Sequence, residues 1–394
     1  MKKYSAYCII LTAVFYIVQV SVLGYTVYFF SEKGYSAGEI SVLMAISGVI
    51  AGIVQPLLGY IADKYERIDF KNILSVSGVI VTLLFLNLLY FDNNKIATGI
   101  LFAIIFASTN SMSPFVNSSC FYYKDRGINV NYGIARGFGS FAFAVGSYIL
   151  GGFTKIFGAK AVSINGIVFT IIFFIIISIM PRVKNKKERS EIKVDVKKHL
   201  EGSSKNIVAK YPSFFLIMLA TILTICFQNA DCGYLIQMIE ELGGDSFNLG
   251  IANAIGALVE IPIMFYMAKL MKKIKLSKLI LLATIFYVVR GFVFTIPSIT
   301  AIYLAQLLQM FTYAIIIPAT VYLSDEMMQE EDKNKGQSLV GLAVTLGFIL
   351  GSFAGGQFIS IGGTMLLKMG CIVIAILGFI CALLGNIIYK IYRR

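Results

Sequence analysis

Long apolar runs, each near the ~20 residues that cross a bilayer as a helix, recur twelve times along this chain of 394 residues. They cover 5–30, 38–62, 72–91, 96–123, 131–154, 161–181, 212–239, 246–271, 276–296, 299–324, 337–360 and 365–389. Polar residues interrupt 96–123 and 299–324 more than the others. The pattern predicts an all-α membrane protein of twelve transmembrane helices. The first run starts at about Tyr7 behind Lys2 and Lys3 and continues to Phe30 without a clear cleavage site, so it reads as a retained first helix. One long polar connection, 182–211, carries ten Lys and Arg residues and separates six spans from six. The expected organisation is a six-helix half over 1–181, a basic linker over 182–211 and a second six-helix half over 212–394.

Composition narrows this further. The chain is 58% hydrophobic and 14% charged, whereas soluble domains carry about 25% charged residues. Most of it cannot face water, and no hydrophilic stretch is long enough to fold alone. A net charge of +13 raises the question of nucleic acid, but the basic residues lie in connections between apolar runs. Of the 34 Lys and Arg residues, the side of the membrane opposite the termini holds Lys33, Lys95, Lys155, Lys160 and Lys368. By the positive-inside rule both termini and the linker face the cytoplasm, as expected of a multi-pass protein of the cell inner membrane. The linker then lies against anionic lipid as a solvated segment, with 193–200 able to form a short surface helix. The six cysteines (Cys8, Cys120, Cys226, Cys232, Cys371, Cys381) fall in apolar runs without metal or CxxC spacing and read as small core residues. The single histidine, His199, lies in the basic linker. No metal or other cofactor is expected.

Glycine marks the middle helix of each triplet. The second span has Gly48, Gly52 and Gly59, and the fifth has Gly133, Gly137, Gly139, Gly146, Gly151 and Gly152. The eighth has Gly250 and Gly256, and the eleventh has Gly341, Gly347, Gly351, Gly355 and Gly356. Small residues four apart let helix backbones approach closely, so the equivalent helices of each triplet read as built for close contact, which suggests inverted three-helix repeats; general glycine enrichment of membrane helices is the alternative.

Three charges interrupt the apolar pattern: Arg136, Glu260 and Arg290. A charge at membrane depth costs at least ~2.5–3.5 kcal/mol on insertion scales and is tolerated where it faces a partner or a water-filled cavity. Glu260 lies about 21 Å from the start of its span at ~1.5 Å per residue, and so does Arg290 from the start of the next. These spans run in opposite directions across a hydrocarbon core ~30 Å thick. Glu260 is thus inward of centre and Arg290 outward, within reach of each other directly or through solute or water. They read either as a buried ion pair joining two helices or as part of a solute pathway. Arg136 sits five residues into its span and either snorkels to the inner interface or reaches a cavity. Gln19, Asn110, Asn117, Gln228, Asn229, Asn253, Gln306, Gln309 and Thr312 add uncharged polar groups that suit a shared hydrophilic cavity. Phe143, seven residues after Arg136, lies on the same helical face, able to stack on a solute or to pack in the core. No GxxxxGK[ST], HExxH or GxSxG motif is present, and the chain does not read as an enzyme.

The segment Gln55-Pro-Leu-Leu-Gly-Tyr-Ile-Ala-Asp63-Lys64 resembles the signature GxxxD[RK] of the major facilitator superfamily, through Gly59, Asp63 and Lys64. Its usual following Gly-Arg is replaced by Tyr65-Glu66-Arg67. Tyr132-Gly133-Ile134-Ala135-Arg136-Gly137-Phe138-Gly139-Ser140 is similar to the fifth-helix motif of the branch containing lactose permease and related oligosaccharide, nucleoside and phenylpropionate proton symporters. Arg290 takes the place of that branch's ninth-helix arginine. Val259-Glu260-Ile261-Pro262 resembles an eighth-helix acidic motif also found in sugar efflux transporters, and Lys335-Gly336-Gln337-Ser338-Leu339 fits the same branch. The chain departs from lactose permease where the tenth helix has Gln306, Gln309 and Thr312 in place of ionisable groups, and where Asn117 replaces an acid.

The resemblance implies a monomeric secondary transporter moving a small polar solute and protons by alternating access. Arg136, Asn117, Phe143, Gln228, Asn229, Gln306 and Gln309 are the expected solute contacts. Glu260, Arg290 and Asp231 are the expected coupling residues, with Arg290 opposing Glu260. Gly59, Asp63 and Lys64 are expected at a cytoplasmic gate. Efflux of sugars or drugs, or a non-transporting receptor or assembly subunit on the same fold, are the competing readings.

Overall fold

The computed structural model describes all residues except 1, 66–68, 92–93, 125, 129, 184–206 and 393–394. Nearly all of them are helical, and no strand occurs among them. The first half contains α1 (Lys2–Gln19), α2 (Ala37–Lys64), α3 (Phe70–Tyr90), α4 (Lys95–Lys124), α5 (Tyr132–Phe157) and α6 (Lys160–Ile179). The second contains α7 (Pro212–Gly233), α8 (Ser246–Lys273), α9 (Leu276–Phe294) and the two-part α10 (Ile299–Leu307 and Tyr313–Met327). The continuous stretch Lys333–Tyr392 is two helices, α11 and α12, broken where Gly362 and Gly363 leave helical geometry and Gly363 takes φ +68°. Twelve spans therefore exist among the described residues. The predicted segments were right in number and position. All but residues 182–183 and 207–211 of the basic linker lie outside the described residues.

Local chemistry explains several helix starts. Ser36 caps α2 in a reciprocal box with Glu39, and Asp245 caps α8 in the same way with Asn248. Asp69 and Asn131 accept from the third helical N–H groups of α3 and α5. Three spans are interrupted rather than continuous. After α1 the chain passes through a π-helical segment, Val20–Gly24, and resumes as Thr26–Glu32. α7 breaks at Tyr234 before Leu235–Glu241, and α10 passes through the 3₁₀ turn Leu308–Phe311. Irregular backbone at membrane depth needs protein partners for its carbonyls. Asn253 on α8 supplies one, its Nδ2 donating to Gly24 O at 3.1 Å.

Packing follows the glycines. On α5, Gly139 lies against Tyr16 and Thr12 of α1, and Gly146 against Val20 and Ile17. On α11, Gly347 and Gly351 lie against the backbone of α7 at Ile222 and Cys226, and Gly355 against Tyr234. The α1–α5 pairing thus has its counterpart in α7–α11, and α3–α6 has one in α9–α12. The halves meet along two seams, α2 with α11 and α5 with α8. Exposed Val76, Leu83, Ile156 and Val373 belong to the apolar outer surface that a bilayer would cover.

Both seams are closest on the face remote from the termini. There Gly151 and Gly250 face each other, each Cβ position 3.2 Å from the other's Cα. Tyr25 stitches the crossing by donating to Ser147 O (2.9 Å) and Ser246 O (3.2 Å). Lys155 pairs with Asp245 at 2.8 Å across the same seam. On the other seam Gly356 lies against Ala37 and Ser41, and Gln357 donates to Ser41 Oγ at 3.0 Å. Near mid-depth Gly48 and Gly52 meet Ile349, Phe348 and Thr345, and Phe106 stacks on Phe348. Towards the terminal face the two seams differ. A Cβ at Gly59 or Gly341 would meet nothing within 4 Å, while the Phe265 ring reaches Gly137. The halves are closed on the remote face; towards the termini the α2–α11 seam opens at Gly59 and Gly341, while the α5–α8 seam keeps its contact between Gly137 and Phe265.

Candidate functional site

Arg290 on α9 is fully buried, at 0% exposure, and organises the polar interior of the second half. Its Nη1 donates to Gln228 Oε1 at 2.7 Å. Its Nη2 lies 3.1 Å from Asp231 Oδ2, 3.2 Å from both Cys232 Sγ and Gln306 Oε1, and 3.3 Å from Gln309 Oε1. Helical spacing gathers these partners: Gln228, Asp231 and Cys232 share one face of α7, and Gln306 and Gln309 share one face of α10. Gly256 on α8 leaves the room they occupy, since a Cβ there would stand 3.0 Å from Gln306 Oε1 and 3.2 Å from Gln309 Oε1.

The ionic partner of Arg290 is Asp231, which corrects the expected opposition of Arg290 to Glu260. The depth difference explains the outcome. Arg290 and Asp231 both sit towards the remote face, whereas Glu260 lies nearer the terminal side. Gln309 fills the gap: its Nε2 donates to Glu260 Oε1 at 2.6 Å while its Oε1 faces Arg290. Glu260 remains within Coulombic range of both Arg136 and Arg290. Two carboxylates and two guanidiniums thus form a charge-balanced interior, the usual condition for burying charge.

Arg136 on α5 does not simply snorkel. Its guanidinium lies over the Tyr16 ring of α1, 4.5 Å from the centroid, and its Nη1 is buried without a hydrogen-bond partner. Gln19 Oε1, the Tyr287 hydroxyl and Arg290 Nε are buried and unpartnered as well. Each such group costs about 1–3 kcal/mol when left dry. Polar groups of this kind in both halves suit a region that water or solute fills. The ring of Phe143, half-buried on α5, lies near the α1 break, 3.5 Å from the Cβ position of Gly24 and beside Asn253.

Other expected residues stand apart from this network. Asn229 donates to Ile225 O of its own helix, Asn110 to Phe106 O, and Thr312 to Leu308 O and Gln309 O. Asn117 is half-buried on α4 and joins none of these bonds. Gly59 is open, and the Lys64 ammonium lies over the Tyr60 and Tyr65 rings. The side chain of Asp63 lies outside the described residues. Cys232, expected as a core cysteine, is instead a sulfur acceptor inside the polar network. Sequence reading also passed over Tyr16, Tyr287 and Tyr313. Their signal was spacing: Tyr16 precedes Gln19 by three, Tyr287 precedes Arg290 by three, and Tyr313 follows Gln309 by four.

A charged, amide-lined interior between two six-helix halves is the architecture of a carrier, and comparison with known proteins agrees. The model of the MFS_1 like family matches residues 9–367. The chain belongs to that family of transporters. It is 26% identical over 341 residues to the uncharacterized transporter YwbF of Bacillus subtilis (strain 168), covering 86% of this chain and 80% of the relative. The crystal structure of the nucleoside transporter NupG superposes with TM-score 0.79 at 13% identity, covering 98% of this chain and 99% of that one. The POT family transporter PepTSo superposes with TM-score 0.73 at 14% identity, covering 100% and 99%. At such identities these structures establish the shared fold. The protein is a multi-pass membrane transporter for a small-molecule solute.

Proposed function

We propose that this transporter moves a small polar organic solute, a sugar, nucleoside or aromatic carboxylate, by proton-coupled alternating access. The supporting observation is the balanced set Arg136, Glu260, Asp231 and Arg290 inside halves that are closed on the remote face and open at the terminal end of the α2–α11 seam. If the basic linker and termini are cytoplasmic, as the distribution of Lys and Arg predicts, this is an inward-open state. Arg136, Phe143 and the unpartnered Oε1 of Gln19 would then meet solute from the first half. Gln228, Gln306 and Gln309 would meet it, or the water it displaces, from the second. The nucleoside class draws on the fold likeness to NupG, and the amide and aromatic lining suits a ribose and a base. Glu260 is the proposed proton carrier, because it lies between the two arginines while its hydrogen bond comes from the neutral amide of Gln309. Asp231 is the second carboxylate of the coupling set.

Purified protein in proteoliposomes with an imposed pH gradient tests this directly. Radiolabelled uridine, lactose and phenylpropionate are the probes. At least one should accumulate above its equilibrium level, and Glu260→Gln should abolish that accumulation. Accumulation by Glu260→Gln equal to wild type would remove Glu260 from the coupling role.

A further inference from the structure

The Nη2 of Arg290 carries two protons but has four acceptors at 3.1–3.3 Å: Asp231, Cys232, Gln306 and Gln309. They compete, so the arrangement of the guanidinium depends on how strongly each acceptor is held in place. Gln309 differs from the others because its far end is anchored on a second carboxylate, Glu260 (2.6 Å), whereas Gln306 Nε2 reaches Cys232 Sγ at 3.8 Å within the same cluster. An amide is a directional bridge, with its oxygen accepting and its nitrogen donating. Here Nε2 is bound to Glu260 and Oε1 is turned to Arg290 Nη2 and to Gln228 Nε2 (3.3 Å). The opposite orientation would set a donor against Arg290 and an acceptor against a carboxylate.

We propose that Gln309 is a positioning residue that transmits the charge state of Glu260 to the Arg290–Asp231 pair. It rests on the reading of Glu260 as a proton carrier. While Glu260 is ionised, a charge-assisted bond of roughly twice the neutral strength fixes the amide with its oxygen on Arg290. Gln309 then shares Nη2 with Asp231. When a proton binds Glu260, the bond becomes a neutral one and the anchor weakens. If the proton sits on the facing oxygen, the amide must turn to accept it. In that second case Oε1 leaves Nη2, in the first it is held there less firmly, and Arg290 passes more fully to Asp231 in proportion.

The site is built to permit such a turn. Gln309 lies in the 3₁₀ segment that interrupts α10, followed by Thr312 at φ −108°, ψ −93°. Gly256 leaves space where a methyl group would press on its oxygen. The charged and titratable groups around Glu260 are Arg136 from α5, Arg290 and Tyr287 from α9, Tyr313 from α10 and Tyr16 from α1. Around the far end of the relay stand Asp231 and Cys232 of α7, with Cys371 of α12. None of these contacts both Glu260 and Arg290 by a hydrogen bond among the described residues; Gln309 does.

The test needs no solute. Protein carrying ¹⁵N-labelled arginine is titrated in detergent, and the Arg290 guanidinium resonance is assigned by its loss in Arg290→Lys. In wild type it should move with pH, and the displacement scored is the part lost in Glu260→Gln, since any part that follows Asp231 itself remains in that variant. In Gln309→Met, which keeps the volume but has no amide, the displacement should fall by more than half. Gln309→Asn keeps an amide too short to span both partners and should behave as Gln309→Met does, whereas a merely structural amide would be rescued by it. Full displacement in Gln309→Met, or an Arg290 resonance that ignores pH in wild type, overturns the relay. Failure of wild-type protein to accumulate any probe under a pH gradient would instead strike the coupling reading, and the two failures are read in separate experiments.

Discussion

Arg290 and Asp231 form a pair that neither residue's neighbours can replace. Both are almost wholly buried, so removing one charge strands the other in a medium of low polarity. Breaking a buried pair on one side costs about 3–5 kcal/mol, whereas exchanging both partners for apolar residues is often neutral. Arg290→Met is therefore expected to lower the unfolding temperature of the detergent-purified protein sharply, and Arg290→Met with Asp231→Leu to recover most of the loss. Both variants should be inactive in proteoliposomes. A single variant as stable as wild type would show that water, rather than the partner, satisfies the remaining charge.

At the scale of the element, the crossing of α5 and α8 sets how closely the halves approach on the remote face. A methyl group at Gly250 would stand 2.6 Å from Ser147 O and 2.7 Å from Tyr25 Oη. The first is backbone and cannot swing aside. Overpacking of this kind costs about 1–3 kcal/mol, and here it falls on the conformation in which the remote face is closed. Gly250→Ala should shift the population towards the conformation open on that face, by roughly tenfold per 1.4 kcal/mol. Pulsed EPR distances between labels on the remote ends of α5 and α8 report the shift, and an unchanged distribution would show that the crossing relaxes locally. The α1 and α10 breaks belong to the same scale: they give Gly24, Gln309 and Thr312 backbone surroundings a continuous α-helix lacks.

In the whole molecule the Lys155–Asp245 bridge spans the seam at the remote surface. The hydrogen bond from Lys155 holds the Asp245 carboxyl below the usual carboxylate range, aided by the N–H groups of Phe247 and Asn248. The sign follows directly: the bridge is complete above about pH 4 and is lost as pH falls through the lowered value. Both side chains are partly exposed, so its worth is about 0.2–1 kcal/mol. Asp245→Asn preserves the helix cap but removes the charge, and should favour opening of the remote face up to about fivefold at neutral pH in the same EPR measurement. Salt should weaken the wild-type bridge similarly. Residue depth, span number and the helices built for close contact were legible in the chain, because lipid imposes helices of fixed length and close packing requires small residues at fixed spacing; which helices those glycines meet was not. Arg136, Glu260 and Arg290 announced a polar interior for the same reason, since a charge at that depth needs a partner. The choice of partner was not legible. Arg290 meets Asp231 rather than Glu260 because of how α7, α9 and α10 rotate and tilt around one another. Cys232 and Tyr16 join the polar interior through that same packing. One-dimensional pattern carries depth and face, which the bilayer and the helical period dictate; which faces turn towards each other is a many-body outcome that only the assembled helices decide.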